Sequence, residues 1–196
     1  MSDPVLHVVA GPNGAGKTTF YERILAPVPL EFVNADVIAA QRWPGDSLNH
    51  AYTAARLAAH RRTELLVNRV SFATETVFSH ESKVELIRSA VADGYLVAIH
   101  VILIPEDLAV ARVENRVENG GHDVPEEKVR SRHRRLWSHI GEAIDLSSEA
   151  HIYNNTSARV PFRLLATFRN GVLINDPEWP LWTPAELTRA KPRADI

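Results

Sequence analysis

Val5-Leu6-His7-Val8-Val9-Ala10-Gly11-Pro12-Asn13-Gly14-Ala15-Gly16-Lys17-Thr18 is the stretch that decides the fold. Its first six residues form a short apolar run, which reads as a strand buried on both faces, as in a parallel sheet. The next eight fit the spacing Gly-x-x-x-x-Gly-Lys-Thr of a Walker A phosphate loop, or P-loop. Each part has a physical task. Glycines let the backbone wind around an oxyanion with several N–H groups pointing inward, and the helix starting here adds the partial positive charge of its N-terminus. The Lys17 ammonium reaches β- and γ-phosphates, and the Thr18 hydroxyl suits Mg²⁺. The nucleotide-binding residues expected are therefore Gly11, Pro12, Asn13, Gly14, Ala15, Gly16, Lys17, Thr18 and Thr19, with Thr18 also the metal residue.

Outward from this loop the pattern alternates. A helical stretch from Lys17 to about Leu25 is stopped by Ala26-Pro27-Val28-Pro29, and Leu30 to Val33 reads as a second strand. Asp36 caps a short helix over Val37 to Ala40. Ser47 starts a long helix with Leu48, Tyr52, Ala55, Ala59 and Leu66 on one face. Ser71 to Val77 is rich in β-formers. Ser79 caps the following helix, and Gly94 ends it. Tyr95 to Ile104 is apolar on both faces and belongs in the centre of the sheet. Pro105 opens a helix reaching Asn119, and Pro125 opens another, very basic, reaching about Ser147. Strand His151 to Tyr153 follows. Phe162 to Phe168 and Val172 to Ile174 flank Arg169-Asn170-Gly171, which supplies the positive φ of a hairpin turn. The tail from Asp176 is proline-rich and expected to be irregular. Strands alternating with helices predict an α/β fold with a mainly parallel sheet flanked by helices and a C-terminal β-hairpin. We expect one domain over residues 1–196.

Bulk properties narrow the classes. A chain of 196 residues fits one sizeable core. The formal net charge of -2 gives no bulk positive field for nucleic acid or an anionic membrane. The absence of cysteine removes disulfides, thiolate zinc sites and cysteine nucleophiles together. Met1-Ser2-Asp3-Pro4 carries no basic region, and Val5 to Ala10 is too short for a signal peptide, so a cytoplasmic location is expected. The histidines show no pair at helical i, i+4 spacing, and no zinc site is expected.

The remaining polar residues bear on what is done with a bound nucleotide. Asp36 and Glu75 stand at or near strand ends, where ligands bind in open α/β sheets. A small-molecule kinase needs a carboxylate near the γ-phosphate to take up the acceptor hydroxyl proton, and Asp36 is our choice. Capping of the next helix is the competing reading of Asp36. Glu75 interrupts an apolar strand, where a carboxylate needs a partner or a task. Arg112 and Arg116 share a helix face, and Arg130, Arg132, Arg134 and Arg135 crowd the next helix. Two helices joined by the Gly120-Gly121-His122 segment would make a helical lid over about 106–147, closing cations over a transferring phosphoryl group. At least half of these six arginines are expected to be solvated surface.

Together Gly11 to Thr19, Asn34-Ala35-Asp36, Phe72-Ala73-Thr74-Glu75-Thr76 and Arg116 through Gly120-Gly121-His122-Asp123-Val124-Pro125-Glu126 resemble the short, stand-alone branch of the zeta toxin family, over about residues 5 to 155. The resemblance implies a P-loop kinase fold with a lid, using ATP and Mg²⁺. The better-studied members phosphorylate a sugar hydroxyl of UDP-N-acetylglucosamine and are restrained by a small antitoxin protein. By motif position Lys17 and Thr18 match the phosphate and magnesium residues, Asp36 the catalytic base and Glu75 a substrate-site acid, and Arg116, or Arg112 one turn earlier, matches the first lid arginine. The expected catalytic set is Asp36, Lys17, Arg116 and Arg132. Asp36, Glu75, Thr76, Arg112, His122 and Arg135 would meet the acceptor. The second lid arginine of the long toxins falls near His122 here, and Arg132 and Arg135 would supply its charge. Asn154 stands where the short branch often shows an aspartate. Two alternatives stay open: a housekeeping metabolite or nucleoside kinase, and a P-loop regulatory module that hydrolyses ATP slowly.

Overall fold

A computed structural model describes residues 3–118 and 124–188 of the protein. Along the chain the elements are β1 (Val5–Ala10), α1 (Lys17–Phe20) continued by a π-helical turn (Tyr21–Leu25), β2 (Glu31–Val33), α2 (Ala35–Arg42), α3 (Ala51–Val67), β3 (Phe72–Thr76) and α4 (Ser82–Ala92). They continue with β4 (Leu96–Leu103), α5 (Glu106–Glu118), α6 (Glu126–Leu146), β5 (Glu149–Asn154), β6 (Arg163–Arg169), β7 (Val172–Leu173) and α7 (Ala185–Thr188). The strand order is β2-β3-β1-β4-β5-β6-β7. The first five strands are parallel, and β6 and β7 add an antiparallel hairpin at one edge. Asn170 and Gly171 at φ 49° and 74° make its turn, as their sequence demands.

β4 is central and apolar on both faces because helices cover both. One layer packs Leu6, Val8, Val97, Ile99 and Val101 against α3, α4 and the C-terminal half of α6. The other packs Val9, Ile102 and Ile104 against Phe20, Leu25 and the Ala109, Val110 and Val113 stripe of α5. Chain order puts the ends of β1, β2 and β3 at one edge of a crevice, where the strand order reverses around β1.

Several local expectations need correction. α3 starts at Ala51, not Ser47, and buries Ala54, Ala58, Leu65 and Leu66, whereas Leu48 and Tyr52 are exposed at 56% and 78%. The face was misread because alanines, not the larger apolar residues, make the close packing. Asp36 does not cap α2: Asn34 does, its side-chain oxygen accepting from Asp36 N (2.7 Å) and Val37 N (3.3 Å). Ser79 does not cap α4; the His80 ring takes the Ser82 N–H instead, at 3.1 Å. In α6, Leu136, Trp137, Ile140, Ala143 and Ile144 lie in the main core, so most of this helix is scaffold and not the lid expected over 106–147. The tail is not wholly irregular, since α7 forms and buries Leu187. The Gly120-Gly121-His122 segment lies outside the described residues.

On the α1 side of the sheet three histidines stack across adjacent strands. His100 lies 5.5 Å from His7 and 5.6 Å from His151 between ring centroids, and its Nε2 is 3.2 Å from His7 Nδ1. Burial first, then the neighbouring His7 and His151, lowers the His100 pKa to about 3. The unfolded chain therefore takes a proton that the folded chain refuses. The resulting stability is fully present above the ordinary value of 6.5 and lost as pH falls from there toward about 3. Between pH 7 and pH 5 this group should remove about 2 kcal/mol of unfolding free energy. His100→Phe, which keeps a ring in the stack, should lose less stability than wild type by that amount over the interval. Equal losses in urea unfolding would contradict the assignment.

Candidate functional site

The loop after β1 is braced by residues after β5 and on α5. Gly16 has φ 88°, and a Cβ there would lie 2.8 Å from Asn155 Nδ2. That amide donates to Ala15 O at 2.8 Å, while Asn155 Oδ1 accepts from Phe162 N at 3.3 Å. Arg112 on α5 donates to Asn155 O at 2.8 Å and to Gly14 O at 3.4 Å. Two segments distant in sequence thus hold the loop's curvature.

Lys17 is 7% exposed and donates to Pro12 O at 3.0 Å. Its pKa is lowered by burial foremost, with Glu75 and Asp36 opposing and Arg116 and Arg132 reinforcing. Two acids and two arginines from four separate elements therefore act on one ammonium. Glu75, near the end of β3, accepts from Thr18 Oγ1 at 2.9 Å and from Asn34 Nδ2 at 2.8 Å, and lies 3.9 Å from Lys17 Nζ. This satisfies the carboxylate that the apolar strand left unexplained. Asp36 sits exposed in the first turn of α2, its backbone N–H held by the Asn34 cap.

These groups line a cleft of about 580 Å³. Of the expected site residues, Asn13, Gly14, Gly16, Lys17, Thr18, Thr19, Asp36, Glu75, Thr76, Arg112, Arg116 and Arg132 face it. Gly11, Pro12 and Ala15 are buried behind the loop. Arg135 is elsewhere, exposed, with Nε donating to Ser131 O at 3.3 Å. Arg130 is tied to Glu106, Asp107 and Glu126, and Arg134 lies 3.7 Å from Glu106, so both belong to the surface. His122 lies outside the described residues. Asn154 uses its side-chain oxygen on Thr156 N at 2.9 Å.

Four residues were not singled out from the sequence: Asn34, Asn155, Arg62 and Lys83. Asn34 carried a readable signal, an N-cap residue type directly before a helix. The hard oxygen donors beside the loop are the Thr18 hydroxyl and the Glu75 and Asp36 carboxylates, a set that suits Mg²⁺.

Comparison with known proteins places this geometry in a class. The AAA domain family matches residues 6–137, and the chain belongs to that family. Its fold is the α/β P-loop kinase fold, with a mostly parallel sheet flanked by helices. An uncharacterized protein of Haemophilus influenzae is 27% identical over 124 residues, 63% of this chain and 88% of that one. The crystal structure of a putative kinase from Chloroflexus aurantiacus superposes with a TM-score of 0.54 at 22% identity, covering 67% of this chain and 78% of the other. The AvrRxo1-ORF1:-ORF2 complex with ATP gives 0.68 at 18% identity, over 90% of this chain and 61% of the matched one. The PezAT chromosomal toxin–antitoxin system of Streptococcus pneumoniae gives 0.55 at 14% identity, covering 79% and 69%.

Gly16→Ala should lower unfolding free energy by about 1–2 kcal/mol for the left-handed backbone alone, plus the clash with Asn155. Combining it with Asn155→Ala should recover the clash part, so the double-mutant cycle is non-additive. Strict additivity in urea denaturation would show that Asn155 does not brace the loop.

Proposed function

We propose that this protein is an ATP-dependent kinase that transfers the γ-phosphate to a hydroxyl of a small molecule. The observation that carries the reading is the meeting of the Asp36 carboxylate with the P-loop lysine in one cleft, because nucleotide binding alone has no use for that acid. The acceptor is a nucleotide sugar such as UDP-N-acetylglucosamine, and the setting is a toxin–antitoxin pair with a small antitoxin protein as partner. Support comes from the zeta-toxin-like motifs and from the likeness to the PezAT system. The work is done in one domain, whose lid is the part of α5 and α6 that carries Arg116 and Arg132.

In this mechanism the loop N–H groups and Lys17 hold the triphosphate, and the Thr18 hydroxyl with the Glu75 carboxylate would hold Mg²⁺. Mg²⁺ held there would offset negative charge on the triphosphate. Asp36 accepts the proton of the acceptor hydroxyl as its oxygen bonds to the γ-phosphorus. The bond from that phosphorus to the β,γ-bridging oxygen breaks, and ADP leaves. Arg116 and Arg132 stabilise the charge spread over the transferring group. Asn34 and Glu75 position Asp36 and Thr18 and touch no reacting atom.

Incubation with ATP, Mg²⁺ and a panel of nucleotide sugars, sugars and nucleosides should give a product heavier by one phosphate by mass spectrometry. Transfer only to a sugar or nucleoside without a nucleotide would replace the acceptor reading, and ADP release with no acceptor product would replace the kinase reading. Arg116→Ala should lower kcat about 10²-fold or more, with a smaller effect on the nucleotide KM. The reverse pattern would make Arg116 a binding residue.

A further inference from the structure

The cleft holds a second pair of cations, away from the phosphate loop. Arg62 projects from α3 and Lys83 from α4, and both line the cleft with Ala55, Ala58 and His80. Both are partly buried. Neither side chain makes a hydrogen bond or ion pair among the described residues. Their neighbours on the same helices behave differently. Arg61 is held by Glu31 and Glu64, and Arg88 by Glu85 and Glu142. Acids thus pair the neighbouring Arg61 and Arg88 but not the two cations lining the cleft.

Burial lowers the pKa of Arg62, and burial followed by the charge of Arg62 lowers that of Lys83. Lys83 therefore feels the charge of Arg62, and neither has an acid partner among the described residues. Holding such a pair half-desolvated costs free energy that a bound anion returns. Space is provided as well. Ala55, Ala58 and Arg62 lie on one side of α3, so two short side chains precede the guanidinium and leave the cleft open. On the other wall, Phe78 is fully buried and adopts φ 65°, a strained backbone for a non-glycine residue, just before Ser79 and His80, which also line the cleft.

We propose that Arg62 and Lys83 form a binding site for a phosphate or diphosphate group of the acceptor, so that the acceptor is a phosphorylated hydroxyl compound. The proposal deepens the kinase reading above and rests on it for the word acceptor. Two separated cations match the two or more negative charges of such a group, and a guanidinium presents the fork that phosphate oxygens take. The sheet topology separates the two charges to be bound. The donor phosphates belong to the loop after β1, with Lys17, Arg116 and Arg132, whereas this pair belongs to the helices flanking β3. Like charges on donor and acceptor are thereby each met by their own cations, which lowers the repulsion between two anionic substrates in one cleft.

The test is calorimetric titration of inorganic pyrophosphate into the full chain saturated with a non-hydrolysable ATP analogue and Mg²⁺, so that the phosphate loop is filled. Wild type should bind one pyrophosphate. Arg62→Met and Lys83→Met, which keep the apolar stems, should each weaken it at least about tenfold, as expected for a lost charge-assisted hydrogen bond. Arg62→Lys, which keeps the charge but loses the fork, should weaken binding less than Arg62→Met, and the affinity for the analogue should stay unchanged in all three variants. No pyrophosphate binding to the saturated protein, or binding indifferent to both methionine substitutions, would overturn the proposal. Equal binding of citrate, a tricarboxylate of similar charge, would overturn the assignment to phosphate. If the analogue itself fails to bind, the kinase reading falls. The dependence of pyrophosphate binding on Arg62 and Lys83 then still decides the subsite separately.

Discussion

One carboxylate holds the working edge of this protein together. Glu75 stands near the end of β3, opposite Val9 of β1, in a strand that is otherwise apolar or hydroxylic. Its Oε2 accepts from Thr18 Oγ1 and from Asn34 Nδ2, and its Oε1 lies 3.9 Å from Lys17 Nζ. A buried charge without partners would be costly there, and these partners come from the helix after β1 and the turn after β2. The consequence runs further. Because Glu75 takes the Asn34 amide N–H, the Asn34 carbonyl oxygen is left facing the start of α2, where it caps Asp36 N and Val37 N. The same ion that orients the lysine and threonine of the phosphate loop therefore also fixes the turn that carries Asp36.

The opposite flank uses neutral groups for the same purpose. Asn155, just after β5, spends its side-chain amide on Ala15 O and its oxygen on Phe162 N. Arg112 completes the brace through carbonyls of Gly14 and Asn155. The loop is thus pre-shaped by contacts that leave its inward surface open, so binding a triphosphate need not pay to order it. Arg112 is a structural arginine as much as a cleft residue.

What could be read from the sequence was what is encoded locally. The strand and glycine loop at Val5 to Thr18, the doubly buried β4 and the Asn170-Gly171 hairpin each follow from residues adjacent in the chain. α3 was misplaced because Leu48 and Tyr52 mimic the start of an apolar stripe while Ala54 and Ala58 make the contact. The arginines of α6 suggested a lid, yet the apolar positions that follow them, Leu136, Trp137 and Ile140, dock its second half on the core. In the cleft, Lys17, Thr18, Asp36 and Glu75 were legible because a motif or an out-of-place charge marks each. Asn155 was not, since its partner Ala15 lies 140 residues away. Arg62 and Lys83 look like ordinary helix-surface cations until the acids around them are counted in three dimensions.

The central claim is that Asp36 turns a triphosphate site into a transfer site. Its most direct test compares Asp36→Asn with wild type in two numbers, the equilibrium Kd for ATP and kcat for phosphoryl transfer to the acceptor. The account predicts an unchanged Kd and a kcat lower by about 10²–10⁴-fold, the contribution of a positioned general base. An unchanged kcat, or a loss of turnover matched by an equal loss of ATP affinity, would contradict it.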